Sequence, residues 1–291
     1  MYADDTKLYR EIKTQEDQLT LQKDIGELLN WSNKWLLKFH PSKCYSITIG
    51  NNEQLDYTYH MGEDGDRKNM SKVEAIKDIG VMIDSGLKFE KHINGKIEVA
   101  NKILGIIRRS YQFLDSDIFV PLYKALIISH FDYAVTVWNP SMVKYIEAIE
   151  SVQRRATKMV PDLKKLAYPE RLKALNLPTL TYRRVRGDMI EVYKIVSKIY
   201  DEHVTSGILN MRIKNICLRG HNFTLDHKRL YSAARINFFA NRVVNVWNSL
   251  PDKLVGAGSL NIFKNSLDRL WSKQHILYHY RGEIDKKDYV Y

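Results

Sequence analysis

The spacing of apolar residues in the first part of the chain changes from a helical to a strand-like period. Beyond Thr14-Gln15-Glu16-Asp17, which has the spacing of a helix-capping box, apolar residues recur every three or four positions as far as Phe39. This pattern predicts one amphipathic helix that ends at His40-Pro41. Short apolar runs then predict strands at 44–49, 73–76 and 79–83, with a loop or hairpin connection at 61–69.

The residues from Lys91 onward keep a helical period over most of their length. Apolar stripes predict four helices, at 93–111, from Asp115 or Ser116 to 127, at 145–159 and at 182–199. The last third is less regular and predicts a strand at 219–226 and helices at 234–247 and 260–270. Four tryptophans fall in apolar patterns, which predicts core packing rather than base stacking: Trp31, Trp35, Trp138 and Trp247.

The order of these elements, short strands around one helix and then a run of helices, predicts an α+β fold class. We expect a sheet-containing domain at 1–90, a helical domain at 91–205, and a mixed strand and helix region at 206–291.

The charge is uneven along the chain and adds a functional hint. The net charge is +11, yet residues 1–90 carry 12 Lys and Arg against 16 Asp and Glu. Residues 91–200 carry 19 against 10, and residues 201–291 carry 14 against 8. Such a basic part suits a polyanionic partner. On composition alone, a solvated basic surface is an equal alternative.

Several classes of protein are disfavoured by the sequence. No stretch of about 18 uncharged apolar residues is present, so we expect no membrane-spanning helix and no membrane partner. Cys44 and Cys217 are too far apart in sequence for a zinc finger or a disulfide framework. The polar, acidic N-terminal stretch lacks the apolar core of a signal peptide. We therefore expect an intracellular protein of the cytoplasm or nucleus that is not secreted.

The tetrapeptide Tyr2-Ala3-Asp4-Asp5 carries the strongest chemical signal. Short β-capable flanks predict that Asp4 and Asp5 lie at the tight turn of a hairpin. Two adjacent carboxylates repel each other, and a divalent cation such as Mg²⁺ would neutralise them. The alternative is that an Asp-Asp pair merely favours a turn.

The surroundings of this tetrapeptide resemble a known family. Tyr2-Ala3-Asp4-Asp5, a helix with Trp31 and Trp35, Lys43-Cys44 and Lys77-Asp78-Ile79-Gly80-Val81 follow one another as at the end of a reverse transcriptase palm. The chain resembles the reverse transcriptases of non-LTR retrotransposons (LINEs) of the jockey and CR1 type. The likeness continues through the segments 152–157, 168–172, 182–190 and 238–251, so it covers nearly the whole chain.

The resemblance implies an RNA-directed DNA polymerase, with 1–90 as the end of the palm, 91–205 as the thumb and 206–291 as a C-terminal region. In the intact enzyme it implies Asp4 as a metal ligand with Asp5 beside it. Two Mg²⁺ ions would activate the primer 3′-hydroxyl and stabilise the leaving pyrophosphate. The implied partners are an RNA or DNA template–primer and a dNTP.

The resemblance also implies parts that this chain lacks. A family polymerase carries a further metal-binding Asp upstream of the Asp-Asp hairpin, together with the fingers. We therefore expect residues 1–291 alone to be catalytically inactive, with residual nucleic-acid binding. The alternative is a non-catalytic interaction or structural protein that reuses a thumb-like helical bundle.

Clusters of basic residues are the candidate contacts to nucleic acid. Their positions on the predicted helices fall outside the apolar stripes, which predicts exposed faces that track phosphates, or else merely solvated faces. The resemblance places Lys77 and Lys88 beside the primer grip. The remaining candidates are Arg108, Arg109, Arg154, Arg155, Lys158, Arg183, Arg184 and Arg186.

Overall fold

The computed structural model describes residues 6–50, 57–62, 67–212, 221–227, 229 and 232–285. It divides the chain into two compact units, Met1–Leu87 and Lys88–Tyr291. About 54% of the residues are helical and 7% lie in strands, which confirms the α+β fold class. No described helix has the length and apolar character needed to cross a membrane.

The first unit is organised by helix α1 (Gln15–Lys34). Its capping box forms as predicted: the Asp17 backbone N–H donates to the Thr14 hydroxyl at 3.3 Å, and the Asp17 carboxylate accepts from the Thr14 backbone at 2.8 Å. The helix ends at Lys34, before the predicted His40-Pro41. Leu36 has a left-handed φ of 58°, and the Leu37 N–H returns to the Ser32 carbonyl, so the chain closes the helix there.

Short strands complete this unit in pairs. Strand β1 (Tyr45–Ser46) runs parallel to β4 (Ser71–Lys72), while β2 (His60–Met61) is antiparallel to β3 (Lys68–Asn69). Strands β5 (Ala75–Asp78) and β6 (Val81–Asp84) form an antiparallel hairpin. Of the loop or hairpin connection predicted at 61–69, the described residues show the antiparallel pairing of Met61 with Lys68. The predicted strands at 73–76 and 79–83 overlap β5 and β6.

The second unit is built from helices. The long ones are α2 (Glu90–Ser110), α6 (Val143–Thr157), α8 (Leu180–Val196) and α14 (Leu260–Leu270). Between them lie shorter helices and a π-helical stretch at Lys124–Ile128. The shorter helices are α3 (Ser116–Tyr123), α4 (Ser129–Asp132), α5 (Val135–Trp138), α7 (Tyr168–Ala174), α9 (Glu202–Thr205), α10 (Ala233–Asn237), α11 (Phe239–Arg242), α12 (Val244–Trp247) and α13 (Asp252–Val255).

Most of the predicted helices form close to their expected positions, including α3, which Asp115 caps through the Ile118 N–H at 2.8 Å. The single helix predicted at 234–247 is instead three short ones. Phe238 takes an extended conformation (φ −61°, ψ 141°) and separates α10 from α11. The strand predicted at 219–226 lies partly outside the described residues, and within 221–226 the structure shows an isolated antiparallel bridge from Leu225 to Met211.

The core of the second unit is continuous across the predicted boundary at 205. One hydrophobic cluster joins α8 to the C-terminal helices, and Val192, Phe263 and Trp271 are fully buried in it. Trp138 and Trp247 are buried, as predicted.

The same prediction is wrong for Trp31 and Trp35, which are 37% and 60% exposed. The buried face of α1 instead carries Gln18, Ile25 and Ser32, seven residues apart and therefore on one stripe of the helix.

Candidate nucleic-acid interface

The Asp4–Asp5 pair lies outside the described residues, so its geometry and its magnesium site stay predictions. The chain just beyond it is anchored by an ion pair between Lys7 and Asp78 of β5. Within the part of the chain that the structure describes, no group of three or more His, Cys, Asp or Glu side chains could hold a metal ion.

The two lysines assigned to the primer grip are both exposed. Lys77 lies on β5 opposite Met82 of β6, two residues before the tip of that hairpin. The tip consists of Ile79 and Gly80, both with positive φ (41° and 78°). Lys88 belongs to the second unit and lies two residues before the start of α2, next to its N-cap Phe89.

The predicted basic residues at the ends of α2 and α6 are exposed, with the exception of Arg154. Arg108 and Arg109 are exposed in the last turn of α2, and Arg155 and Lys158 are exposed at the end of α6. Cations in a last helical turn also interact favourably with the helix dipole, so their position serves folding as well.

Arg154 differs from its neighbours on α6 because it is half-buried. Its guanidinium lies 5.4 Å from the ring centroid of Tyr168 and 5.5 Å from that of Tyr280. Its backbone carbonyl accepts a 3.2 Å hydrogen bond from Arg171, which is itself buried. These cation–π contacts attach the segment around Tyr280 to α6 and α7, which gives Arg154 a packing role.

The three arginines of α8 have three different surroundings. Arg184 is buried and donates to the Thr181 hydroxyl at 3.1 Å. Desolvation lowers the pKa of Arg184 to about 10, an effect that the carboxylates of Glu150 and Asp188 partly oppose. The expectation of an exposed face is therefore wrong for Arg184, because its side chain lies inside the helical unit.

The other two arginines of this set are partly exposed and held by carboxylates. Arg183 donates two hydrogen bonds to Asp132 of α4. Arg186 donates two to Asp268 of α14, at 2.5 and 2.7 Å, and this contact raises the pKa of Arg186. Both pairs line a cleft of about 660 Å³ beside the beginning of α8.

A buried polar network connects α6 to α8, and sequence reasoning did not find it. Glu150 is fully buried and accepts from the Tyr168 hydroxyl at 2.6 Å and from the Leu180 N–H at 3.1 Å. Burial raises the pKa of the Glu150 carboxyl, although these hydrogen bonds act in the opposite direction. In the sequence, the sign of this network is that the charged residue Glu150 directly follows Ile149 of the apolar stripe predicted at 145–159.

The structure thus sorts the predicted basic residues into exposed, paired and buried groups. Arg108, Arg109, Arg155 and Lys158 are open to a polyanion, whereas Arg184 is not.

Comparisons of the chain with protein-family models, with curated proteins and with solved structures find no match. A functional assignment therefore rests on the chain's own sequence and geometry.

Proposed function

We propose that the chain corresponds to the end of the palm, the thumb and the C-terminal region of an RNA-directed DNA polymerase of a non-LTR retrotransposon. The observation that carries this proposal is the ordered series of motifs from Tyr2-Ala3-Asp4-Asp5 through Lys77-Asp78-Ile79-Gly80-Val81 to the segment 238–251. In this role the helical unit binds the template–primer duplex.

The charge distribution supports nucleic-acid binding by the helical unit. Its two stretches, 91–200 and 201–291, carry 19 Lys and Arg against 10 Asp and Glu and 14 against 8. Exposed arginine and lysine side chains at the ends of α2 and α6 suit contacts to phosphate oxygens, which are independent of base sequence. Binding of this kind releases counterions and weakens steeply as the salt concentration rises.

The chemistry proposed for the intact enzyme is nucleotidyl transfer. Asp4 and Asp5 supply the hard carboxylate oxygens that Mg²⁺ prefers, and the bound metal would activate the primer 3′-hydroxyl and stabilise pyrophosphate. The resemblance assigns a further metal-binding Asp and the fingers to sequence upstream of this pair. Residues 1–291 by themselves are therefore expected to bind a hybrid without extending its primer.

A salt-titrated binding assay tests the proposal. Residues 1–291 are mixed with a fluorescent RNA–DNA hybrid, and the Kd is measured from low to physiological salt, with a parallel primer-extension reaction containing Mg²⁺. We expect binding that weakens steeply with salt and no extension. Absence of binding at low salt would overturn the nucleic-acid role. Extension that disappears in Asp4→Ala would show that the residues present suffice for catalysis.

A second candidate function is a non-catalytic interaction protein. It is favoured by apolar side chains on the surface of the helical unit, among them Phe113 (85% exposed) and Val143 (66% exposed). Sedimentation analysis, with and without the RNA–DNA hybrid, distinguishes the two candidate functions. A stable, monodisperse chain that does not bind the hybrid at low salt supports the interaction protein.

A further inference from the structure

The cleft beside the beginning of α8 has a composition that points to a ligand. Its wall contains two arginines of α8, Arg183 and Arg186, together with Asp132 of α4 and Asp268 of α14. The arginines lie three residues apart, so both project from the same face of the helix about 4.5 Å apart along its axis. Gly187 beside them adds no side chain, and a Cβ built there meets nothing within 4 Å, so the cleft is open at that point.

Each guanidinium is held by one edge only. Asp132 accepts from Nε and Nη2 of Arg183, and Asp268 accepts from Nε and Nη2 of Arg186. Among the described residues, nothing accepts a hydrogen bond from Nη1 of either arginine. Both side chains are accessible, at 29% and 28% exposure. Two oriented N–H donor groups are thus available at the cleft, one helical turn apart.

Two N–H groups in the first turn of α8 are satisfied from inside the protein. The Leu180 N–H donates to buried Glu150, and the Tyr182 N–H donates to the Thr179 hydroxyl at 3.1 Å. These two N–H groups are therefore not available to an anion in the cleft, whereas Nη1 of Arg183 and Nη1 of Arg186 have no acceptor among the described residues.

We propose that this cleft holds phosphates of a nucleic-acid backbone through Nη1 of Arg183 and Nη1 of Arg186. The inference rests on the proposed function and adds the cleft and the guanidinium atoms through which Arg183 and Arg186 would hold the strand. Guanidinium–phosphate hydrogen bonds are charge-assisted and directional, and side-on carboxylates leave the opposite edge of each guanidinium presented outward. Asp132 and Asp268 act as positioning residues, and because they neutralise much of the local charge, the cleft contributes geometry more than net charge.

The experiment compares three double variants of residues 1–291 on an RNA–DNA hybrid. Arg183→Gln/Arg186→Gln removes the two donors. Lys198→Gln/Arg281→Gln is the matched control, since it also removes two ion-paired cations of this unit, paired with Glu202 and Glu147, that do not line the cleft. Arg183→Lys/Arg186→Lys keeps the positive charge of both side chains. It removes the guanidinium groups, which can bind a carboxylate along one edge and a phosphate along the other. Far-UV circular dichroism and thermal melting confirm that each variant is folded.

We expect the glutamine pair to weaken hybrid binding about tenfold or more, with a salt slope smaller by about 1 to 2 than that of the unchanged chain. The lysine pair should lose several-fold although its charge is unchanged, which also keeps the test informative if the glutamine pair fails to fold. The control pair should change affinity by less than about threefold, because exposed ion-paired cations contribute little.

Three results would overturn the assignment of this cleft. Equal losses in the glutamine pair and the control would show that only total charge matters. Hybrid binding by the lysine variant that is as tight as that of the unchanged chain would show that the guanidinium geometry is irrelevant. Displacement of the hybrid from the unchanged chain by millimolar inorganic pyrophosphate would indicate a site for free phosphates instead of a strand. If the unchanged chain does not bind the hybrid at low salt, the proposed function itself fails, which is a distinct result.

Discussion

Arg242 of α11 donates two hydrogen bonds, both of 2.8 Å, to the carboxylate of Asp188 on α8. The side chains of the pair are only 14% and 6% exposed. Arg242 also donates to the Thr136 and Asn237 carbonyls, so one guanidinium links α8 to the end of α10 and to α5. Burial raises the pKa of Asp188, and Arg242 opposes that shift.

Removing one partner of this pair should destabilise the protein strongly. We predict that Arg242→Ala lowers the free energy of unfolding by about 3–5 kcal/mol, because it leaves the Asp188 carboxylate buried without the cation that forms its ion pair. Urea denaturation followed by circular dichroism measures the change. Arg281→Ala is the control: its partner Glu147 lies at the surface, so the expected loss is at most about 1 kcal/mol. Equal effects of the two variants would contradict this account.

His92 should make stability depend on pH. The side chain is buried against Trp138, with ring centroids 5.1 Å apart, and desolvation together with Lys96 lowers the pKa of His92 to about 4. The unfolded chain takes up the proton near pH 6.5, while the folded chain resists it until about pH 4. The free energy of unfolding is therefore highest, as far as His92 is concerned, above pH 6.5. It decreases by about 1.4 kcal/mol per pH unit as the pH falls from 6.5 towards 4.

His92→Gln tests this prediction because glutamine does not titrate in that range. The free energy of unfolding, measured from pH 7 down to pH 4.5, should fall less steeply in the variant than in the unchanged chain. Parallel pH profiles would show that His92 does not set the dependence.

The tip of the β5–β6 hairpin should carry backbone strain. Ile79 and Gly80 both have positive φ, as in a type I′ turn, a conformation that suits Asn-Gly and disfavours a β-branched residue. Ile79 is 52% exposed, so replacing it removes little buried area. We predict that Ile79→Asn raises the free energy of unfolding by about 1 kcal/mol in urea denaturation. Ile79→Val should give no gain, since valine keeps the β-branch, and a loss in the asparagine variant would argue against strain.

Local features of the fold were predictable because their causes are local. The Thr14 capping box, the Asp115 cap and the stripes of α2, α6 and α8 each depend on residues a few positions apart. The contact of Asp188 with Arg242 joins residues 54 positions apart, and no local pattern encodes it.

The burial of Arg184 shows the same limit at the candidate site. A single apolar stripe predicted one buried face for α8, but α8 packs against α5, α6 and α14, so more of its circumference is covered. A charged residue beside the stripe then becomes internal: Arg184 donates to Thr181 of the same helix and lies in the field of the Glu150 carboxylate of α6. Arg155 and Lys158, at the end of a helix, stayed outside as expected.

This division of the basic residues leads to opposite outcomes for two sets of variants. Arg155→Gln/Lys158→Gln should leave the free energy of unfolding within about 0.5 kcal/mol of the unchanged chain, because both side chains are exposed. Its hybrid binding should weaken, with a salt slope smaller by about 1 for each phosphate contact removed. Arg184→Gln should instead destabilise the chain by about 1–3 kcal/mol, since the buried carboxylates of Glu150 and Asp188 lose a nearby cation. Where Arg184→Gln remains folded, its salt slope should match that of the unchanged chain. A reduced slope in a folded Arg184→Gln variant would mean that this arginine reaches the nucleic acid after all.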